Sequence, residues 1–202
     1  MRLGRVEVTG GFLLLLAWLN YLDRSFLVPM ALAACAAHEL GHVAAIRLLG
    51  GYVKGIRLTA IGAELVLERP LAYWQEGLSA LAGPGINLLL ALAGCHFTLT
   101  FAGVNLALAL FNLLPVGRLD GGRAVYCTLA LLAGPGPADR VGRWLDGLCT
   151  AFVTAAGLLL ALRGGNITLL LAAFWLLAIF LRQNICRFSR NKACQRGGKK
   201  VQ

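Results

Sequence analysis

Apolar residues run along this chain in long blocks, separated by short polar or glycine-proline segments. Six blocks lie near the ~17–25 residues that a helix needs to cross a hydrocarbon layer. They cover approximately residues 9–22, which is short, then 25–49, 75–95, 98–117, 143–162 and 166–183. Residues 51–70 fall out of this pattern. There, two stretches at 54–59 and 64–68 flank a turn-like Ala60-Ile61-Gly62-Ala63 and are closed by Pro70, which predicts a β-hairpin. Lipid cannot satisfy open backbone groups, so a hairpin at membrane depth must be buried in protein or line a cavity. Its edge is a candidate for binding an extended peptide by strand addition, against the plainer reading of an interfacial loop with no role. The expected architecture is an all-α polytopic membrane protein of about six transmembrane helices with a short membrane-associated β-hairpin. A membrane domain over residues 1–183 would be followed by a basic tail over 184–202.

Composition agrees with that reading. Of 202 residues, 58% are apolar and 14% charged, where a soluble domain carries about 25% charged. The first block lacks a small-x-small cleavage site and the next follows almost at once, so a transmembrane segment is expected rather than a cleaved leader. Lysine and arginine fix the orientation. With a cytosolic N-terminus and six crossings, 17 basic residues lie inside and only Arg24 and Arg163 outside, as the positive-inside rule requires. Both termini are then cytosolic, in what is expected to be a bacterial cell membrane. The formal net charge of +10 is explained without nucleic acid, for which the chain shows no folded reader module. The basic tail suits anionic lipid headgroups instead. Cys35, Cys95, Cys127 and Cys149 lie in or at the ends of apolar helices, and Cys186 and Cys194 in a reducing tail, so no disulfide framework is expected.

Chemistry enters at His38-Glu39-Leu40-Gly41-His42. On a helix these three polar side chains share an arc of about 100°. Two imidazoles can hold one metal while the carboxylate beside it handles protons. Ionisable groups inside a transmembrane helix are costly and point to function. Cys35 precedes His38 by three and shares its face, but reads more simply as a small packing residue. In Gly83-Pro84-Gly85, glycine and proline would loosen or kink the third span, and Asn87 places an amide within it. Pro115 and Gly117 then interrupt a helix, and Asp120 follows at the break. A zinc site of catalytic type takes three protein ligands and one open position. Asp120 could supply the third ligand, or serve as a helix cap or turn residue. At 1.5 Å per residue, His42 and His38 would lie roughly 10 and 17 Å below the cytosolic boundary, and the fourth span brings Asp120 toward the same side. His96 sits at the opposite end of the third span and is expected not to be a ligand.

Taken in order, His38-Glu39-Leu40-Gly41-His42, Gly83-Pro84-Gly85-Ile86-Asn87, and Asn112-Leu113-Leu114-Pro115 running into Leu119-Asp120-Gly121-Gly122 resemble the site-2 protease family of intramembrane zinc metalloproteases. The likeness covers residues from about 25 to 125. The small size and six-span plan look most like the branch containing stage IV sporulation protein FB, which cleaves a membrane-associated pro-sigma factor. The resemblance implies one Zn2+ per chain held by His38, His42 and Asp120, with Glu39 as general base. It also implies that Asn87 and Asn112, with Pro115, steady the substrate or the site. The expected substrate is a membrane-tethered protein cut near its cytosolic side, with a membrane regulatory partner. The chain is expected to lack both a soluble regulatory domain after the last span and an inserted PDZ domain, which leaves substrate and regulator open. Two other classes compete: a non-catalytic membrane binding protein on a protease scaffold, and a metal transporter. The intact polar set argues against the first, and the few polar groups along the spans against the second.

Overall fold

The computed structural model describes residues 2–3, 6–23, 26–59, 62–95, 98–117 and 119–163, together with Phe174 and Leu177. The chain separates into two compact units, residues 1–142 and 143–202. Its elements in order are β1 (Arg2–Leu3), β2 (Val6–Val8), α1 (Gly10–Leu22), α2 (Leu27–Leu48), β3 (Val53–Thr59), β4 (Gly62–Leu67), α3 (Tyr73–Gly94), α4 (Leu99–Asn112), α5 (Asp120–Ala133) and α6 (Pro135–Leu162).

Among the described residues, α2, α3 and α6 are long and apolar enough to cross a membrane. Helices α1 and α4, at 13 and 14 residues, fall short of the usual length. The block at 166–183 and the tail from 184 lie outside the described residues, apart from Phe174 and Leu177. The described helices therefore give a mostly helical protein with three candidate spans, rather than the six expected.

Two other differences come from glycine and proline. Pro135, Gly136 and Pro137 suggest a loop, but α6 begins at Pro135 and takes Asp139 into its first turns. Proline at a helix start gives up an amide that had no partner anyway, so Pro135 opens this helix rather than breaking it. Helix α5 was not anticipated at all. It is 14 residues long and starts with Asp120-Gly121-Gly122, so it looks neither like a span nor like a good helix former.

The first unit is built around α3, which packs against α2, α4 and α5. Small residues at these seams let the backbones approach closely. Ala34, Ala80, Ala91, Ala102 and Ala109 are buried, and a β-carbon on Gly41 would meet Ile86 Cγ1 at 2.9 Å. Pro84 sits within α3, yet the helix runs unbroken from Tyr73 to Gly94. Just past the end of α2 the chain turns at Gly50, whose φ of 82° favours glycine. There the Gly51 amide donates to Ile46 O at 2.8 Å. Gln75, in the first turn of α3, accepts from the Ala72 amide at 3.0 Å and donates to Leu49 O at 2.9 Å. The end of α2 and the start of α3 are thus tied together, and residues 51–70 are held between them.

Those residues form the expected hairpin, β3 antiparallel to β4, with a register shift between Val53 and Gly55. The sheet is larger than the hairpin. Its order is β1-β2-β3-β4, with β2 parallel to β3 and an Arg57 Nε–Glu7 Oε2 ion pair of 3.1 Å between them. Strands of two and three residues carry no periodicity to read, so β1 and β2 were not foreseen. With β2 on one side of β3, the free edge beyond the hairpin is β4.

Candidate metal centre

His38 and His42 lie one turn apart on the face of α2 turned to α3 and α5, and both are buried. Asp120 opens α5, and its carboxylate is buried between them. The three donor atoms close a triangle. His38 Nε2 is 3.0 Å and His42 Nε2 3.3 Å from Asp120 Oδ2, and the two Nε2 atoms are 3.1 Å apart. Ligands about 2.0–2.2 Å from a tetrahedral metal stand about 3.3–3.6 Å from one another, close to the spacing of these three donors. Two imidazole nitrogens and one carboxylate oxygen at that spacing suit a divalent ion such as zinc, with one coordination position to spare. No other cluster of three such groups occurs among the described residues. Cys35 is exposed and stands outside this one.

The outer nitrogens of both imidazoles are held as well. His42 Nδ1 is 2.7 Å from Ser79 O, a backbone carbonyl that only accepts, so Nδ1 must carry the proton. His38 Nδ1 is 2.6 Å from Asn87 Oδ1 and donates to it. Each ring is left with a bare Nε2 pointing into the triangle, which is how partners beyond the ligands orient metal-binding histidines.

Glu39 follows His38 and is half-buried, within electrostatic reach of His42, His38, Asp120 and Arg123. Arg123 stands one turn beyond Asp120 on α5. Its guanidinium is 3.8 Å from Asp120 Oδ1 and 3.4 Å from Glu76 Oε1. At 39% exposure solvent screens these pairs, so they orient the groups more than they stabilise them.

Glycines bring the elements together, a role that the sequence reading did not give them. A β-carbon on Gly83 would overlap His42 Nε2 and lie 2.9 Å from His38 Cε1, whereas one on Gly85 would meet nothing within 4 Å. Only the first glycine of the Gly83-Pro84-Gly85 run makes room for the imidazoles. Likewise, β-carbons on Gly121 and Gly122 would overlap the carbonyls of Leu113 and Val116. The chain between α4 and α5 is therefore pressed against the start of α5, and this sets Asp120 in place.

The remaining expected residues divide. Asn87 is fully buried and touches His38; both its amide hydrogens are used, on Ala34 O at 3.2 Å and Asn105 Oδ1 at 2.8 Å. Of steadying substrate or site, the second is what this geometry does. Asn112 donates to Leu108 O, one turn back on its own helix, at 3.0 Å. Pro115 is half-buried in the turn that follows. Neither is hydrogen-bonded to the three donors among the described residues. His96 lies outside the described residues.

No family model matches the chain. It is 34% identical over 180 residues to the protein named "Putative zinc metalloprotease sll0528" of Synechocystis, over 79% of this chain and 45% of that one. It is 32% identical over 185 residues to "Putative zinc metalloprotease Rip3" of Mycobacterium tuberculosis, over 79% and 46%. The chain thus spans about half the length of these relatives. In fold it matches the Site-2 Protease from Methanocaldococcus jannaschii, with a TM-score of 0.63 and 22% identity, over 87% of this chain and 89% of that chain.

Proposed function

From its likeness in fold to a site-2 protease and in sequence to proteins named putative zinc metalloproteases, we propose that the chain is an intramembrane zinc metalloendopeptidase acting on a membrane-tethered protein. The observation that carries this reading is the buried triangle of His38, His42 and Asp120, with donor atoms 3.0–3.3 Å apart and Glu39 beside it. In this reading His38, His42 and Asp120 hold one zinc ion. When bound, zinc polarises the scissile carbonyl and makes the attacking water more acidic. Glu39 accepts the proton of that water and passes it to the leaving amine. Ser79 O and Asn87 keep the two imidazoles in the protonation form that ligation needs.

Substrate has to reach the site as extended chain, because a transmembrane helix ties up its own amides. The free edge of β4 could receive such a segment by strand addition. Glu68 N–H donates to Tyr52 O at 3.0 Å, toward β3. Alternation along the strand then turns the amides of Leu65 and Leu67 to the open side. Asn112 and Pro115, next in sequence to the Leu113 and Val116 carbonyls that approach the start of α5, are proposed to meet the substrate near the cut. A pro-sigma factor is one membrane-associated substrate of the kind this site would accept, and the site would face the cytosol.

A metal-depletion cycle tests the reading. Purified protein should contain one zinc per chain and cleave a membrane-tethered reporter. Chelation should stop cleavage, and stoichiometric zinc should restore it. Cleavage that persists in metal-free protein would overturn the assignment.

A further inference from the structure

Asn105 has no place in the chemistry so far. It is a fully buried amide in the middle of α4, a largely apolar helix of 14 residues. A polar group there is costly unless hydrogen-bonded, and both polar atoms of Asn105 have partners: Nδ2 donates to Phe101 O at 2.9 Å, and Oδ1 accepts from Asn87 Nδ2 at 2.8 Å. The direction of these bonds matters. Phe101 O can only accept, so it takes the NH2 group of Asn105 and leaves the oxygen facing Asn87. Asn87 must answer with its own NH2 group, which it also offers to Ala34 O at 3.2 Å. Its oxygen is then committed to His38 Nδ1 at 2.6 Å, so that nitrogen carries the proton and Nε2 stays bare.

The two histidines are secured differently. His42 leans on a backbone carbonyl, whose polarity cannot reverse. His38 leans on a side-chain amide, which could turn over and present NH2 instead of oxygen. In that orientation Asn87 would favour the His38 tautomer with a proton on Nε2, the atom needed as ligand. We propose that Asn105 is a positioning residue of the metal centre, locking the orientation of Asn87 and through it the ring nitrogen that His38 offers. The chain runs from a carbonyl of α4, through α3, to the ligand on α2. It builds on the zinc reading above, and concerns what makes the ligand ready rather than which residues ligate.

The test is zinc affinity, measured by competition with a chromophoric chelator on the purified full chain, alongside the melting temperature of the metal-free protein. Asn87→Leu should weaken zinc binding by about 10–100-fold, the usual effect of losing a partner behind a ligand. Asn105→Leu should weaken it by about 10-fold, since Ala34 O still holds Asn87 in part. The double variant should bind no more weakly than Asn87→Leu alone, because the chain is already cut. Asn105→Asp should restore binding: an uncharged carboxyl gives Asn87 an acceptor oxygen and Phe101 O a donor, as the amide does. If Asn105→Leu yields no folded protein, the smaller Asn105→Val carries the same expectation. A lower melting temperature with wild-type zinc affinity, or losses that simply add in the double variant, would make Asn105 only a structural residue and overturn the inference. If the wild type binds zinc and Asn105→Leu binds it equally, this inference fails while the zinc reading stands. A wild type that takes up no zinc would sink both.

Discussion

Gly83 on α3 lies so close to His42 on α2 that a β-carbon there would take the space of His42 Nε2, the atom turned toward Asp120. Helix seam and metal centre are therefore one packing problem. Backbone contact between α2 and α3 places both imidazoles, and anything that widens the seam should spoil the triangle before it unfolds the helices.

The two glycines around Pro84 separate these effects. Gly83→Ala is expected to lower zinc content to well below half an ion per chain while helical circular dichroism is retained. Gly85→Ala meets open space and replaces a weak helix former with a strong one. It should keep zinc and cleavage at the parental level. Metal analysis of the two variants, purified in parallel, checks both.

Asp120→Ala removes the oxygen that closes the triangle and leaves two imidazoles alone. Zinc content and cleavage should fall together, while the protein still inserts in the membrane. Full zinc occupancy with surviving activity would move the third ligand elsewhere. His96→Ala, by contrast, should keep its zinc.

Strand addition at β4 makes a different demand. Affinity from backbone hydrogen bonds depends little on any one side chain, so Val66→Ala should be close to silent. Leu65→Pro and Leu67→Pro each remove an amide from the open edge of β4. They are expected to slow cleavage of a tethered substrate several-fold or more without loss of zinc. Parental rates in both proline variants would leave the hairpin at 51–70 without a part in binding substrate.

The sequence displays the site better than the architecture around it. His38, Glu39 and His42 are legible because four-residue spacing alone puts them on one helix face, and Asp120 because few acids stand in the apolar region after Glu76. The hairpin at 51–70 is legible from its break with the apolar blocks. Strand β2 is not, since three residues show no period and its partner β3 lies 50 positions away in Glu7↔Arg57. Asn105 is not legible either, because an amide inside a largely apolar helix declares nothing until Asn87 is seen opposite it. Glycine and proline at 83–85 suggest a kink, although Gly83 acts through close approach to His42 on another helix and Gly121 through close approach to the Leu113 carbonyl. Spacing reports what one helix presents; it does not report what another helix must vacate.

The most direct measurement concerns Glu39, whose proposed role is proton transfer and not ligation. Glu39→Gln keeps size and polarity but cannot take up a proton, so zinc content and cleavage of a membrane-tethered reporter should part company. The account predicts one zinc per chain, as in the parent protein, and cleavage lowered by at least about 100-fold, in the range expected for loss of a general base. Cleavage at the parental rate in a zinc-loaded Glu39→Gln protein would contradict it.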